Sequence, residues 1–210
     1  IADIDYIESV FSTGEKCLNV PAVRASRPRF LATVMDWRDG STVIVDVKTA
    51  RPGVVTAIKA AVAGPGLYDR PVELNGRKVL DNVGNPFPIV ELLESASEPP
   101  TDVLIVAGCT RKTWQRWSPS LFERVAAPML FRRQSDAVRR AIRNRGQRFH
   151  KNRQYLEGLN GNGINVGVLF APYDVPAYSR NSQKLRAATN AAVHSTLAAF
   201  GRPDLPFELL

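Results

Sequence analysis

Two runs rich in β-branched and apolar residues, Arg29 to Asp36 and Thr42 to Thr49, flank the string Trp37-Arg38-Asp39-Gly40-Ser41. An Asp-Gly pair between such runs supplies the unusual backbone angles of a tight reversal, so the segment is predicted to be an antiparallel hairpin. The elements around it follow from periodicity and punctuation. Ile4, Ile7, Val10 and Phe11 recur at helical spacing, with Asp3 and Asp5 in the first turn and Gly14 beyond the end, which predicts a helix over about residues 3 to 12. Pro52 followed by Val54, Val55, Ile58, Ala61 and Val62 predicts a second helix, stopped by Gly64-Pro65-Gly66.

Residues 64 to 100 are rich in Pro and Gly and read as an elaboration outside the core, with a short hairpin from Val72 to Leu80 turning at Asn75-Gly76 and a helix over Ile89 to Glu94. Val103 to Ala107 reads as a buried strand, 113 to 125 as containing a helix, Ile164 to Phe170 as a strand and Gln183 to Phe200 as a helix ended by Gly201. The order is that of an α/β fold, a mixed sheet with an antiparallel hairpin flanked by helices. With no internal repeat and no linker, residues 1–210 are expected to form a single elaborated domain.

Charge is segregated along the chain. The formal net charge is +8, yet residues 111 to 153 alone hold thirteen Lys and Arg against two acids, Glu123 and Asp136. The other residues together are slightly acidic, so the excess marks a surface rather than a general means of staying dissolved. Winding Leu130 to Asn144 as a helix places Arg132, Arg133, Arg139, Arg140 and Arg143 on one sector and Leu130, Phe131, Ala137, Val138, Ala141 and Ile142 on the other. Gly146 is the expected stop, and Arg148, Lys151 and Arg153 carry the positive surface on. A face of this kind suits phosphate, because guanidinium groups make paired hydrogen bonds to it. An anionic membrane, an acidic protein or plain solvent would also accept it.

Two cysteines, Cys17 and Cys109, and two histidines, His150 and His194, have no partners at zinc or disulfide spacing. No apolar run is long enough to span a bilayer and the first residues lack the pattern of a secretory signal, so a cytoplasmic location is expected. Trp114, Trp117 and Phe122 alternate with Arg111, Lys112 and Arg116, a mixture that can stack on unpaired bases or pack a core.

The hairpin carries its own chemistry. Residues two apart on a strand share a face, so Asp46 and Lys48 would project together while Val45 and Val47 enter the opposite layer. With Asp36 as a second acid, the set would hold Mg²⁺ through carboxylate oxygens, and Lys48 would position an attacking water. Pairing symmetric about Asp39-Gly40 would place Asp46 opposite the neighbourhood of Thr33.

Asp36, Asp46 and Lys48 in this arrangement resemble the motif of the PD-(D/E)xK nuclease superfamily, in which an acid precedes a hairpin and acid-x-Lys lies on the next strand. Lys48-Thr49-Ala50-Arg51-Pro52 is similar to the segment after the catalytic lysine in some type II restriction endonucleases, and Phe170-Ala171-Pro172-Tyr173 through Tyr178 resembles a later Pro- and Tyr-rich segment in them. The resemblance implies an α-β-β-β-α-β core. It also implies Mg²⁺-dependent endonuclease activity on DNA, with Asp36, Asp46, Lys48 and Glu8 catalytic and Asp36 and Asp46 on the metal. The expected partners are DNA or RNA, contacted by Arg132, Arg133, Arg139, Arg140, Arg143, Arg148, Lys151 and Arg153, and a second copy of the chain in a homodimer. The alternative is a coat or packaging protein that uses the same arginine surface without catalysis.

Overall fold

The structure is a computed structural model and describes residues 4–13, 17–66, 68, 70–118, 131–159, 162–172, 181–199 and 201. The chain divides into two compact units: Ile1–Pro99 with Pro119–Tyr155, and Pro100–Ser118 with Leu156–Leu210. Together they make a mixed α/β protein.

In the first unit, α1 (Ile4–Thr13) and α2 (Val20–Ala25) precede the hairpin strands β1 (Leu31–Asp36) and β2 (Thr42–Asp46). Then come α3 (Val54–Val62), the short strands β3 (Val72–Leu74) and β4 (Arg77–Asp81), and α4 (Ile89–Glu94). The four strands form one sheet in the order β2-β1-β4-β3, antiparallel at every pairing. The expected Asn75-Gly76 turn is present, with φ of 51° and 72°, the left-handed pair that a two-residue hairpin requires. That hairpin is not an elaboration. Its alternating Val72, Leu74 and Val79 are buried in the main core, and β4 lies directly against β1.

Strand alternation gives β1 two buried faces. Val34 joins Val45, Val47, Leu74 and Val79 in a core closed by Val54, Ala57 and Ala60 of α3 and by Ile4 of α1. Met35, the next residue, belongs to a separate cluster with Val138, Ala141 and Ile142. Each Val, Leu, Ile or Met among them contributes about 1.5–3 kcal/mol by leaving water. The second cluster belongs to α6 (Asp136–Arg143), which is followed after Asn144 by α7 (Arg145–Leu159). The sheet is therefore a middle layer, with α3 on one face and α6 on the other.

Two glycines let α6 come close. A Cβ at Gly40, where φ is +70°, would stand 2.7 Å from the Ala137 carbonyl oxygen, and one at Gly84 would stand 2.9 Å from the Ala141 Cβ. Ser135 fixes the start of the helix: its Oγ accepts the Val138 N–H (3.2 Å) and donates its own proton to the Trp37 carbonyl (2.6 Å). The helix stops at Asn144, before the expected Gly146, which lies in the first turn of α7. Similarly α3 begins at Val54 with Gly53 before it, so Pro52 precedes the helix instead of opening it.

The second unit contains β5 (Asp102–Ala107), α5 (Arg111–Gln115), the end of α7, β6 (Asn165–Phe170) and α8 (Ser182–Ala199). Strands β5 and β6 pair in parallel, running in register from Asp102 opposite Asn165 to Ala107 opposite Phe170. The strand expected to be buried here is not. Leu104 and Val106 are 53% and 76% exposed, because alternation turns them away from Val103, Ile105 and Ala107. Leu130, Phe122 and the segment around Tyr173 to Tyr178 lie outside the described residues.

Candidate nucleic-acid interface

The hairpin register decides the proposed metal centre. Asp46 pairs with Leu31, two residues beyond the symmetric expectation, and the Asp36 N–H donates to the Ser41 carbonyl at the other end of the hairpin. Five residues of extended chain separate the two positions, about 17 Å. Asp36 and Asp46 therefore stand at opposite ends of the hairpin, farther apart than two ligands of one ion. Among the described residues no three His, Cys, Asp or Glu side chains are grouped to hold a metal.

Each of the four expected catalytic residues has local partners. Asp36 is 6% exposed, its Oδ1 accepting the Arg38 N–H (2.8 Å) and its Oδ2 lying 3.6 Å from the Arg77 guanidinium, so it fastens the turn. Asp46 ends its strand: Oδ1 accepts the Lys48 N–H (3.0 Å), and the Thr49 N–H bonds back to the Asp46 carbonyl. Strand alternation thus no longer relates Asp46 to Lys48. The Lys48 ammonium donates to the carbonyls of Ser26 and Pro28, a cation at the carboxyl end of α2 where the helix dipole favours one. Glu8 and Asp5 both receive Lys59 of α3, each at 2.6 Å, which braces α1 against α3. That shared ammonium holds Asp5 below the usual carboxylate range, and the two acids raise Lys59 against the effect of its burial.

The arginine helix is amphipathic as the spacing predicts, but it begins at Asp136, so Arg132 and Arg133, expected on its basic sector, lie in the turn before it. Ala137, Val138, Ala141 and Ile142 are buried and Phe131 half-buried, while Arg132, Arg133, Arg140, Arg143 and Lys151 are exposed. Arg139, Arg148 and Arg153 are the other expected phosphate ligands. Arg139 pairs with Asp136 one turn earlier, holding that carboxyl below its ordinary range. Arg148 reaches toward the Gly40 carbonyl (3.5 Å), and Arg153 is half-buried.

Folding also assembles cations that lie far apart in sequence. The Trp37 N–H bonds to the Lys78 carbonyl, Arg77 faces Asp36, and Ser135 holds Trp37, so Arg38, Arg77 and Lys78 are presented at the hairpin end on which α6 begins. All three are exposed. Only strand pairing brings them together, and no local charge count reveals them. Comparison with protein-family models, with curated proteins and with solved structures returns no match. No helix among the described residues is long and apolar enough to cross a membrane.

Proposed function

We propose that this chain binds nucleic acid through the arginine face of α6 and α7 and does not cut it. The observation that carries the reading is the set of exposed cations Arg140, Arg143 and Lys151 on α6 and α7, with Arg132 and Arg133 in the turn before α6, while the opposite face of α6 packs on the sheet. A rigidly mounted row of guanidinium groups meets a phosphate backbone with little ordering cost. Arg38, Arg77 and Lys78 extend the same positive region at its hairpin end.

The restriction-endonuclease-like reading draws support from the order helix, hairpin, helix in α1, β1, β2 and α3. It also needs a place for Mg²⁺, which the separation of Asp36 from Asp46 withholds. A coat or packaging role needs no such place, and a homodimer would double the positive surface.

The deciding experiment incubates the purified chain with plasmid in Mg²⁺ and in chelator. Retarded, uncut DNA in both is expected; cleavage in Mg²⁺ that Lys48→Ala and Asp46→Ala abolish would restore the nuclease reading. Arg140→Gln with Arg143→Gln should flatten the dependence of log affinity on log salt by nearly one unit for each phosphate contact removed, roughly 0.9 on duplex. An unchanged slope would move the interface elsewhere.

A further inference from the structure

The carboxyl ends of β5 and β6 meet in the second unit, where the Ala171 N–H bonds to the carbonyls of Ala107 (3.2 Å) and Cys109 (3.1 Å). In open parallel sheets this end of the strands is where ligands sit. Phe170, the last residue of β6, receives two neighbours from the opening turn of α5. The Arg111 guanidinium lies over its ring, 5.2 Å from the centroid, and Trp114 meets it edge-on at 6.1 Å and 71°. Arg111, Lys112 and Arg116 are exposed, and no described carboxylate forms an ion pair with any of them.

Arginine placed in this way has two uses for its plane. One side rests on the aromatic ring, which fixes its position at little further cost in side-chain freedom. The residue is exposed, so its guanidinium is open to the flat face of a nucleobase, with Lys112 and Arg116 near enough in sequence to take the phosphates on either side. A base inside a duplex already has both faces covered by its neighbours and cannot use such a platform.

We propose that Arg111, backed by Phe170 and flanked by Lys112 and Arg116, is a stacking site for an unpaired base, which gives the chain a preference for single-stranded over duplex nucleic acid. The inference rests on the nucleic-acid reading above but uses different residues. It names the form of the polymer, which the arginine helix does not discriminate.

The test measures fluorescence anisotropy of a labelled oligothymidylate and of a duplex of equal length, at one salt concentration. The proteins are the wild-type chain, Arg111→Ala, Arg111→Lys and the Arg140→Gln/Arg143→Gln pair. Both Arg111 variants should weaken single-strand binding roughly tenfold, the effect of losing about one stacked base, and leave duplex binding within about twofold. Retained duplex binding also shows that the variants fold. The helix pair should weaken both probes together. Recovery of single-strand binding by Arg111→Lys would mean that charge alone acts there and would overturn the proposal, as would equal losses on both probes or no single-strand preference in the wild-type chain. If the wild-type chain binds neither probe, the nucleic-acid reading fails as well; if it binds both and only the Arg111 result is negative, that reading stands.

Discussion

Gly40→Ala tests whether the arginine surface depends on how its helix is mounted, because the substitution changes no charge. Two costs arise at this one position. The backbone φ of +70° is strained for any residue with a Cβ, by about 1–2 kcal/mol. The new methyl would also stand 2.7 Å from the Ala137 carbonyl oxygen and 3.0 Å from the Ala141 Cβ, so α6 must back away from the sheet or the turn must deform, an overpacking cost of about 1–3 kcal/mol. A loss of about 3 kcal/mol is expected, a large part of the roughly 5–15 kcal/mol that holds a typical domain together. At roughly 3 °C per kcal/mol for a chain of this size, calorimetry should show the first unit melting about 9 °C lower. Below that transition, anisotropy should show duplex affinity reduced with the salt slope retained, since the cations remain but are presented differently. Gly84→Ala gives an internal scale: it has the overpacking (2.9 Å to the Ala141 Cβ, 3.0 Å to the Met35 Sδ) without the positive φ, so about half the loss is expected. A melting temperature for Gly40→Ala within 1 °C of wild type, accepting ~1 °C as the scatter of such scans, would refute the close mounting of α6.

Three further expectations concern the groups around this frame. Burial pushes the Asp81 carboxyl up to about 6 from an ordinary value of 3.8, so the folded state keeps a proton that the unfolded chain has released. Stability from this group is therefore present below about pH 4 and lost as pH rises through 6; Asp81→Asn should stabilise at pH 7, by roughly 3 kcal/mol at most, and change little at pH 3.5, approximate figures that paired urea titrations would check. Glu8→Gln removes one of the two partners of Lys59 and should cost about 1 kcal/mol, since the Glu8 carboxylate is partly solvated, with DNA binding unaltered. Ser135→Ala should cost about 1 kcal/mol as a lost cap and somewhat more through the stranded Trp37 carbonyl, read as faster amide exchange at Val138.

What could be read from the sequence and what could not divides along a physical line. Local signals held: Asp39-Gly40 and Asn75-Gly76 each make a turn, because a positive φ is a property of the residue itself. The apolar and basic sectors of α6 also held, because a 3.6-residue period depends on no partner. Register did not, since it depends on where the chain reverses within a five-residue connection. A shift of two residues kept the paired side chains of β1 and β2 on their faces but carried Asp46 from the neighbourhood of Thr33 to Leu31, farther from Asp36. The second hairpin was misread for a related reason: Pro and Gly around 64 to 100 mark turns, and nothing local says that the strand between them will lie against β1. Arg38, Arg77 and Lys78 were missed because their neighbourhood is made by tertiary pairing alone.

Ser135 has a single hydroxyl proton, and the Trp37 carbonyl takes it while the oxygen receives Val138. Unwinding the first turn of α6 and loosening the tip of the β1–β2 hairpin are consequently one cooperative event. On the proposed reading, a polyanion held by the arginines of that helix would pull on the central sheet rather than on a loose arm.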